Sequence, residues 1–466
     1  MSLYDTIIIG GGPAGSTAAS LLASKGHKVL LLEKEKFPRE HIGESLIPAS
    51  YNILAKLGVL EDLKKISPRK PGVNFISNDG ETQSMWCFRN VVKDESYLSF
   101  HVKRSAFDQL LLNNSRKKGA EVLEEHTVNH VNLEGKDGTV EVTAVAQGET
   151  KTFAARFLID ASGQNTFMGR KLGVKTAVKD LDRVALWTHW TGAAYDIPLV
   201  QGAIKIVYLG GDEKKGWIWV IPIAKDNLSI GVVVNNAFLK KEKERIQALG
   251  IDNWKHELYM NEINGSDAVK KLLPTAHMNH KVQINGDYSY FCKQKYGNNF
   301  ALVGDAGAFL DPIFSSGIFV GMQSAELVSN AVHEKLSNGN EQVLHDVYEN
   351  INGALMLIEK FIKLFYNPEL LDFSKMGDPG KHLKFGETES TYSIFHYLLS
   401  GDFFANYQKY SDFIDTMKDP MMLKKFQNLI RHTKEYGEEA SCGELFEEMY
   451  GEVTTDIAFD LTAFGD

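Results

Sequence analysis

Gly10, Gly12 and Gly15 follow the apolar run Thr6-Ile7-Ile8-Ile9 in the spacing Gly-x-Gly-x-x-Gly, and Glu33 closes the next apolar run, Val29-Leu30-Leu31-Leu32. Such a set can hold a dinucleotide. Gly10 permits a tight turn, Gly12 lets the backbone approach a pyrophosphate, and Gly15 lets a helix pack closely on the strand. Pro13 and Ala14 would open that helix, whose free amides and dipole favour an anion. Glu33 can accept a hydrogen bond from a ribose hydroxyl, which favours an unphosphorylated ribose as in FAD or NAD. Glycine turns also join ordinary strands to helices. Here the strand before, Ala18-Ala19 and Leu21-Leu22 after, and the acid in place argue for the nucleotide site.

Two further turns end apolar runs. Phe157-Leu158-Ile159 delivers Asp160-Ala161-Ser162-Gly163, a return to the nucleotide-binding layer with Asp160 and Gly163 as candidate cofactor contacts. Phe300-Ala301-Leu302-Val303 leads into Gly304-Asp305, where a carboxylate beside glycines can approach sugar hydroxyls, a plain turn-former being the alternative. Lys34, Arg39, His41, Glu44 and Ser45 lie in a polar stretch between the second strand and a helix, where a bound cofactor would be touched. His41 and Glu44, three apart, could tune a cofactor's protonation or be satisfied loop residues.

The elements that must position these groups read as an α/β fold. A discontinuous Rossmann-type unit covers residues 1–72, 101–180 and 282–338; short alternating runs over 73–100 and 181–281 predict an inserted antiparallel sheet; and 339–466 turns helical. The periodicity predicts helices through Leu57, from Phe107 to Lys118, from Lys240 to Leu249 and from Gly317 to Leu336. Phe403, Tyr407, Tyr410 and Ile414 recur at helical spacing, as core residues do.

The chain of 466 residues carries a net charge of −9, and its pI of about 5.9 offers no basic footprint for nucleic acid or an anionic membrane. Small organic substrates are the better expectation. Cys87, Cys292 and Cys442 are too far apart for a metal spacing or an obvious disulfide framework, which suits a reduced, cytoplasmic setting. No apolar run reaches the ~18 residues of a membrane span.

The glycine fingerprint, Glu33, Arg104 within residues 102–108 and the turns at Asp160 and Asp305 together resemble the para-hydroxybenzoate hydroxylase type of FAD protein, over residues 1–335. The resemblance implies an FAD cofactor, with Asp305 at its ribityl or ribose part and Arg104 near it. Two strings narrow it. Trp217-Ile218-Trp219-Val220-Ile221-Pro222 matches the WxWxIP signature of flavin-dependent halogenases, and Phe309-Leu310-Asp311-Pro312-Ile313-Phe314-Ser315-Ser316-Gly317 matches their FxxPxxSxG signature.

In that family reduced FAD, oxygen and halide give a hypohalous acid that travels through a tunnel to a lysine near the substrate. The resemblance implies tunnel-lining roles for Trp217, Trp219, Pro222 and Pro312, and a helix start at Ser315, Ser316 and Gly317 that holds the flavin or a chloride or bromide ion. Period two also puts both tryptophans on one face of a strand. The segment Arg69-Lys70-Pro71-Gly72 resembles the lysine segment of phenol-type relatives and makes Lys70 the candidate catalytic residue. A solvated basic stretch with Lys64, Lys65 and Arg69 is the alternative.

Tryptophan halogenases carry a glutamate where this chain has Phe314, so the expected substrate is a phenol- or pyrrole-like aromatic, free or carrier-bound, with FAD reduced by a separate reductase. Two rivals stand beside this: an FAD-dependent monooxygenase or geranylgeranyl-reductase-like enzyme without halide chemistry, and a non-catalytic flavin-binding protein. Asp160-Ala161 lacks the Asp-Gly pair of NADPH-using aromatic hydroxylases, which leans against the hydroxylase and does not exclude the reductase.

Overall fold

A computed structural model describes residues 3–193, 202–211, 213–224, 226–376 and 391–424, the side chains of 287, 288 and 391–393 excepted. Cys442 and the chain beyond 424 lie outside the described residues.

A seven-stranded sheet carries the nucleotide fingerprint. Its order is Glu121–Leu123, Val29–Leu32, Leu3–Ile9, Glu149–Asp160, Val140–Ala146, Thr127–Asn132, with Phe300–Leu302 also paired to Glu149–Asp160. The strands around Leu3–Ile9 run parallel, and the two at the far edge form antiparallel hairpins. Val29–Leu32 is buried along its whole length, as a parallel strand covered on both faces must be. Helices Pro13–Ser24, Arg104–Lys117 and Gly317–Asn338 pack together over one face, and the other clusters with Val131, Val140, Val142, Met168 and Tyr290. Register aligns the carboxyl ends: Ile9 lies opposite Asp160, and Asp160 opposite Leu302. Ligands of open α/β sheets bind at such ends.

The second sheet has nine strands, ordered Ala308–Phe309, Gln283–Cys292, Lys175–Thr191, Asn227–Asn235, Trp217–Ala224, Ile204–Tyr208, Gly72–Ile76, Gln83–Cys87, with His277–Met278 on Lys175–Thr191. All of its pairs are antiparallel except Ile204–Tyr208 with Gly72–Ile76. The two sheets do not part at the expected residues. Lys175–Thr191 enters the second sheet six residues before 181, and Gln283–Cys292 and Ala308–Phe309, expected with the nucleotide unit, are hydrogen-bonded there. A helix does occupy Asn236–Ala248, but Trp254–Asn264 and Asp267–Lys270 are helical where strand was expected.

The C-terminal region is helical where described, with Val343–Phe365, Thr391–Ser400 and Tyr407–Thr416. Leu344, Tyr348, Ile351, Leu355, Ile358 and Ile362 recur every three or four residues on the buried face of the first. Phe403, Tyr410 and Ile414 are buried, and Tyr407 is half-buried, in agreement with the core reading. One apolar cluster runs from Ile8 through Trp217 to Phe403 and ties both sheets to these helices. Among the described residues no helix is long and apolar enough to cross a membrane. Cys87 is engaged in a disulfide, against the expectation of none, and Cys292 is a buried free thiol.

Candidate active site

A cavity of about 460 Å³ opens at the carboxyl ends of the parallel strands and continues to the face of the second sheet. At the nucleotide end, Gly10, Gly12, Pro13, Ala14 and Glu33 border it, and Lys34 stands exposed at its rim. Each glycine has its own reason. Gly10 has φ +102°, and a Cβ there would lie 2.4 Å from the Ala161 carbonyl oxygen. A Cβ on Gly15 would lie 1.9 Å from the Gly10 oxygen, so Gly15 serves close packing and stands off the cavity. At Gly12 nothing comes nearer than Arg39 Nη2 at 3.6 Å, which leaves room for a ligand against bare backbone. Helix Pro13–Ser24 has no acidic residue in its first turn and no side chain capping it, so its amides face the cavity free of competition. Glu33 is held by the amides of Gly11 at 2.6 Å and Glu35 at 2.8 Å.

Two arginines meet one carboxylate on the adjoining wall. Asp108 is wholly buried and receives Arg104 through Nε at 2.8 Å and Nη2 at 2.9 Å, with Arg39 Nη1 3.2 Å away. Arg39 Nε also pairs with Glu35 Oε2 at 3.0 Å, so two guanidiniums face two carboxylates, and Arg39 Nη2, beside Gly12, is left to donate to a phosphate-bearing ligand. Arg104 Nη1 reaches back to the Ile42 carbonyl and lies 3.1 Å from His41 Nδ1. That positive charge, and then burial, lower the His41 pKa, so the ring is neutral at pH 7.

His41 and Glu44 both border the cavity but do not pair. Glu44 Oε1 meets His189 Nε2 at 3.0 Å, while its Oε2 is buried with no protein partner. Burial pulls the His189 pKa down, but the hydrogen bond and charge of Glu44 outweigh it and the net shift is upward. Ser45 borders the cavity with its hydroxyl likewise unpartnered, its backbone bridged to His101.

Asp160 departs from expectation as a cofactor contact. It is buried off the cavity, its two oxygens accepting the amides of Ser162 at 3.0 Å and Met168 at 2.6 Å. Both oxygens are thus engaged in shaping the turn that brings Gly163 to the wall. Gly304, at φ +57°, and Asp305 border the cavity from the next strand end. A Cβ on Gly304 would lie 3.0 Å from Gly321 Cα, and its amide donates to Ser324 Oγ at 2.9 Å, so the turn is seated against helix Gly317–Asn338.

At the other end Trp217 and Trp219 line the cavity with Ile221, all from one face of strand Trp217–Ala224. The indoles are 5.8 Å apart and inclined by 51°. Pro222 falls on the opposite face by the same alternation and does not border the cavity. Pro312, Ser315 and Gly317 do border it, whereas Ser316, at the residue before the helix, is buried off the cavity and its hydroxyl makes no capping bond. Ser315 is left-handed at φ +56°, which turns the chain sharply into helix Gly317–Asn338.

Behind Ser315 stands Lys70, wholly buried, its Nζ 3.4 Å from Ser315 Oγ and 5.5 Å from the centre of the Phe88 ring. Burial alone brings its pKa down to about 7. Arg69 points the other way, over Phe100 at 4.4 Å, so the basic pair divides between surface and interior. Three residues of this end carried no expectation: Arg183, Asn285 and His189. Arg183 had a legible signal, a charged residue one step from the apolar Val184 inside a strand.

A family model described as an FAD binding domain matches residues 3–355. The chain is similar to a flavin-dependent halogenase of Armillaria mellea, 34% identical over 71% of this chain and 66% of that protein. It is 36% identical to a tryptophan 2-halogenase of Chondromyces crocatus, over 70% of this chain and 60% of the relative. A 1H-pyrrole-2-carbonyl peptidyl-carrier-protein chlorinase of Pseudomonas fluorescens is 32% identical over 81% and 86%. The alignments thus span 66% or less of the length of the first two. Among solved structures, the myxobacterial chondrochloren halogenase CndH superposes with a TM-score of 0.72 at 31% identity, covering 86% of this chain and 90% of that one.

Proposed function

The chain belongs to the flavin-dependent halogenases, and on that premise we propose that it uses reduced FAD, oxygen and chloride or bromide to halogenate an electron-rich, phenol- or pyrrole-like aromatic. The observation that carries this reading is Lys70: a wholly buried amine with a pKa of about 7, one serine away from the cavity. A surface lysine would have neither property.

The residues present suit FAD. Gly12 leaves an open cradle at a helix start, Glu33 is held in place for a ribose, and the buried Glu44 Oε2 awaits a donor. When bound, reduced FAD supplies, with oxygen and halide, the hypohalous acid. The chain's own groups do the rest. Arg39, held by Asp108 and Glu35 beside Gly12, donates to the pyrophosphate, and the start of helix Gly317–Asn338 draws the halide. Trp217, Trp219 and Ile221 exclude water from the same space. Lys70, its pKa brought down to about 7 by burial, receives the oxidised halogen beside Ser315 and presents it to the ring.

The substrate class follows from Phe314. Its ring is buried and stacked on Phe361 at 3.9 Å, so this position offers no proton acceptor. A ring that loses its proton through its own hydroxyl or nitrogen needs none. The likeness to the carrier-protein chlorinase supports a carrier-bound substrate as one form of presentation. A separate flavin reductase would supply the reduced cofactor. A cytoplasmic setting accords with that supply.

The test is a mass-spectrometric screen of phenols, pyrroles and indoles, free and carrier-loaded, with reduced FAD, oxygen and bromide. A bromide-dependent mass gain on a phenol or pyrrole is expected. Oxygen consumption with hydroxylated product and no halogenated one would remove the halide chemistry and leave the monooxygenase reading.

A further inference from the structure

The two signature segments are joined through a residue that belongs to neither. Trp217 Nε1 donates to the Tyr366 hydroxyl at 2.9 Å, and that hydroxyl donates to Asp311 Oδ2 at 2.8 Å. Trp217 lies on the cavity-facing strand and Asp311 opens the turn that presents Ser315, while Tyr366 directly follows helix Val343–Phe365 of the C-terminal region. The polarity of this chain of bonds admits one arrangement. An indole N–H only donates, so a hydroxyl that accepts from it must send its own hydrogen to an acceptor. Asp311 is that acceptor, and its other oxygen takes the Ile313 amide at 3.1 Å. Burial raises the Asp311 pKa to about 6, against which the Tyr366 hydrogen bond and the charge of Arg183, whose guanidinium lies over the Tyr366 ring 4.3 Å from its centre, favour the ionised form.

We propose that Tyr366 is a positioning residue for the halogenation reaction: its hydroxyl locks the Trp217 indole to the Asp311–Ser315 turn, so that the two walls in front of Lys70 keep one fixed spacing. The proposal rests on the halogenase reading. Without the hydroxyl, the indole N–H and Asp311 Oδ2 both lose a partner in a buried place, and the ring is free to rotate. An indole that rotates no longer keeps water from the space where halide and oxidant meet. Burial, and then the charge of Asp311, raise the Tyr366 pKa well above its ordinary value, so the hydroxyl keeps the hydrogen that it donates.

The experiment compares Tyr366→Phe, Trp217→Phe and the double variant, each loaded with FAD. Tyr366→Phe keeps the ring under Arg183 and removes only the oxygen. Visible circular dichroism of bound oxidised FAD is expected to change in Tyr366→Phe and in Trp217→Phe, with no further change in the double variant, the signature of two groups acting as one. In turnover, hydrogen peroxide released per halogenated product is expected to rise about fivefold in Tyr366→Phe, the factor that one lost hydrogen bond carries. An unchanged dichroism spectrum, or changes that simply add, overturns the proposal. If Tyr366→Phe binds FAD poorly, Asp311→Asn, which keeps an acceptor for the hydroxyl, must restore the native spectrum more closely than Tyr366→Phe does, or the proposal fails. Should the native protein halogenate nothing, the functional reading falls, while the dichroism comparison still decides the role of the tyrosine.

Discussion

At the scale of single residues, Lys70 carries the strongest expectations. Its amine titrates near 7 in the fold and at its ordinary 10.5 in the open chain, so between those values the unfolded chain binds a proton that the folded one lacks. Stability therefore rises with pH across that window, and at pH 7 the buried amine is a burden. Lys70→Met should raise the melting temperature at pH 7, by an increment that fades toward pH 10, while halogenation falls at least about 100-fold and FAD stays bound. Calorimetry and product assays on one preparation check both. In the native protein, halogenation should increase through an inflection near pH 7 as the uncharged amine appears; a decreasing profile would assign the work to the ammonium. His189 offers a second titration. Its pKa should lie above 6.5 by NMR and fall in Glu44→Gln, because the hydrogen bond and charge of Glu44 are the largest of the effects that oppose burial. Lys70 was legible from its flanking string, yet its partner Ser315 is 245 residues away, and no local pattern reveals such a contact. The Glu44–His189 pair was missed for the same reason, being 145 residues apart.

At the scale of elements, the glycine fingerprint shows how much local patterning can say. Gly12→Ala should fold normally and bind FAD more weakly, since the added methyl meets only open cradle. Gly15→Ala should fail to give soluble, FAD-bearing protein, because the methyl would collide with the Gly10 carbonyl. Side-by-side expression and flavin titration separate the two. Strands with continuous apolar runs, such as Val29–Leu32, and helices with a clear stripe were readable. Trp254–Asn264 was not, for it buries Leu258, Tyr259, Glu262 and Ile263 among polar neighbours and blurs its period. The membership of Gln283–Cys292 escaped too, because strand pairing is decided by tertiary register, not by composition. Asp160 was read correctly as the end of a strand, but only the structure shows that two amides already occupy its carboxylate.

At the scale of the whole molecule, a single apolar cluster binds nucleotide sheet, second sheet and C-terminal helices together. Heating should give one cooperative transition, coincident by far-ultraviolet dichroism and by tryptophan emission. FAD at a hundredfold excess over its dissociation constant should stabilise the native form by about 2.7 kcal/mol, read as a rise in melting temperature that grows with FAD concentration. The coarse architecture was legible, since each layer has its own period. The way the layers interlock was not, because it resides in contacts such as Trp217 with Tyr366 that span 149 residues. That joint bears on any effort to retarget the enzyme. A chimera that borrows its C-terminal helices from a homologue would import a foreign tether for the indole and lose oxidant economy with no cavity-lining residue exchanged. Donors keeping tyrosine at this corner are the ones to graft first.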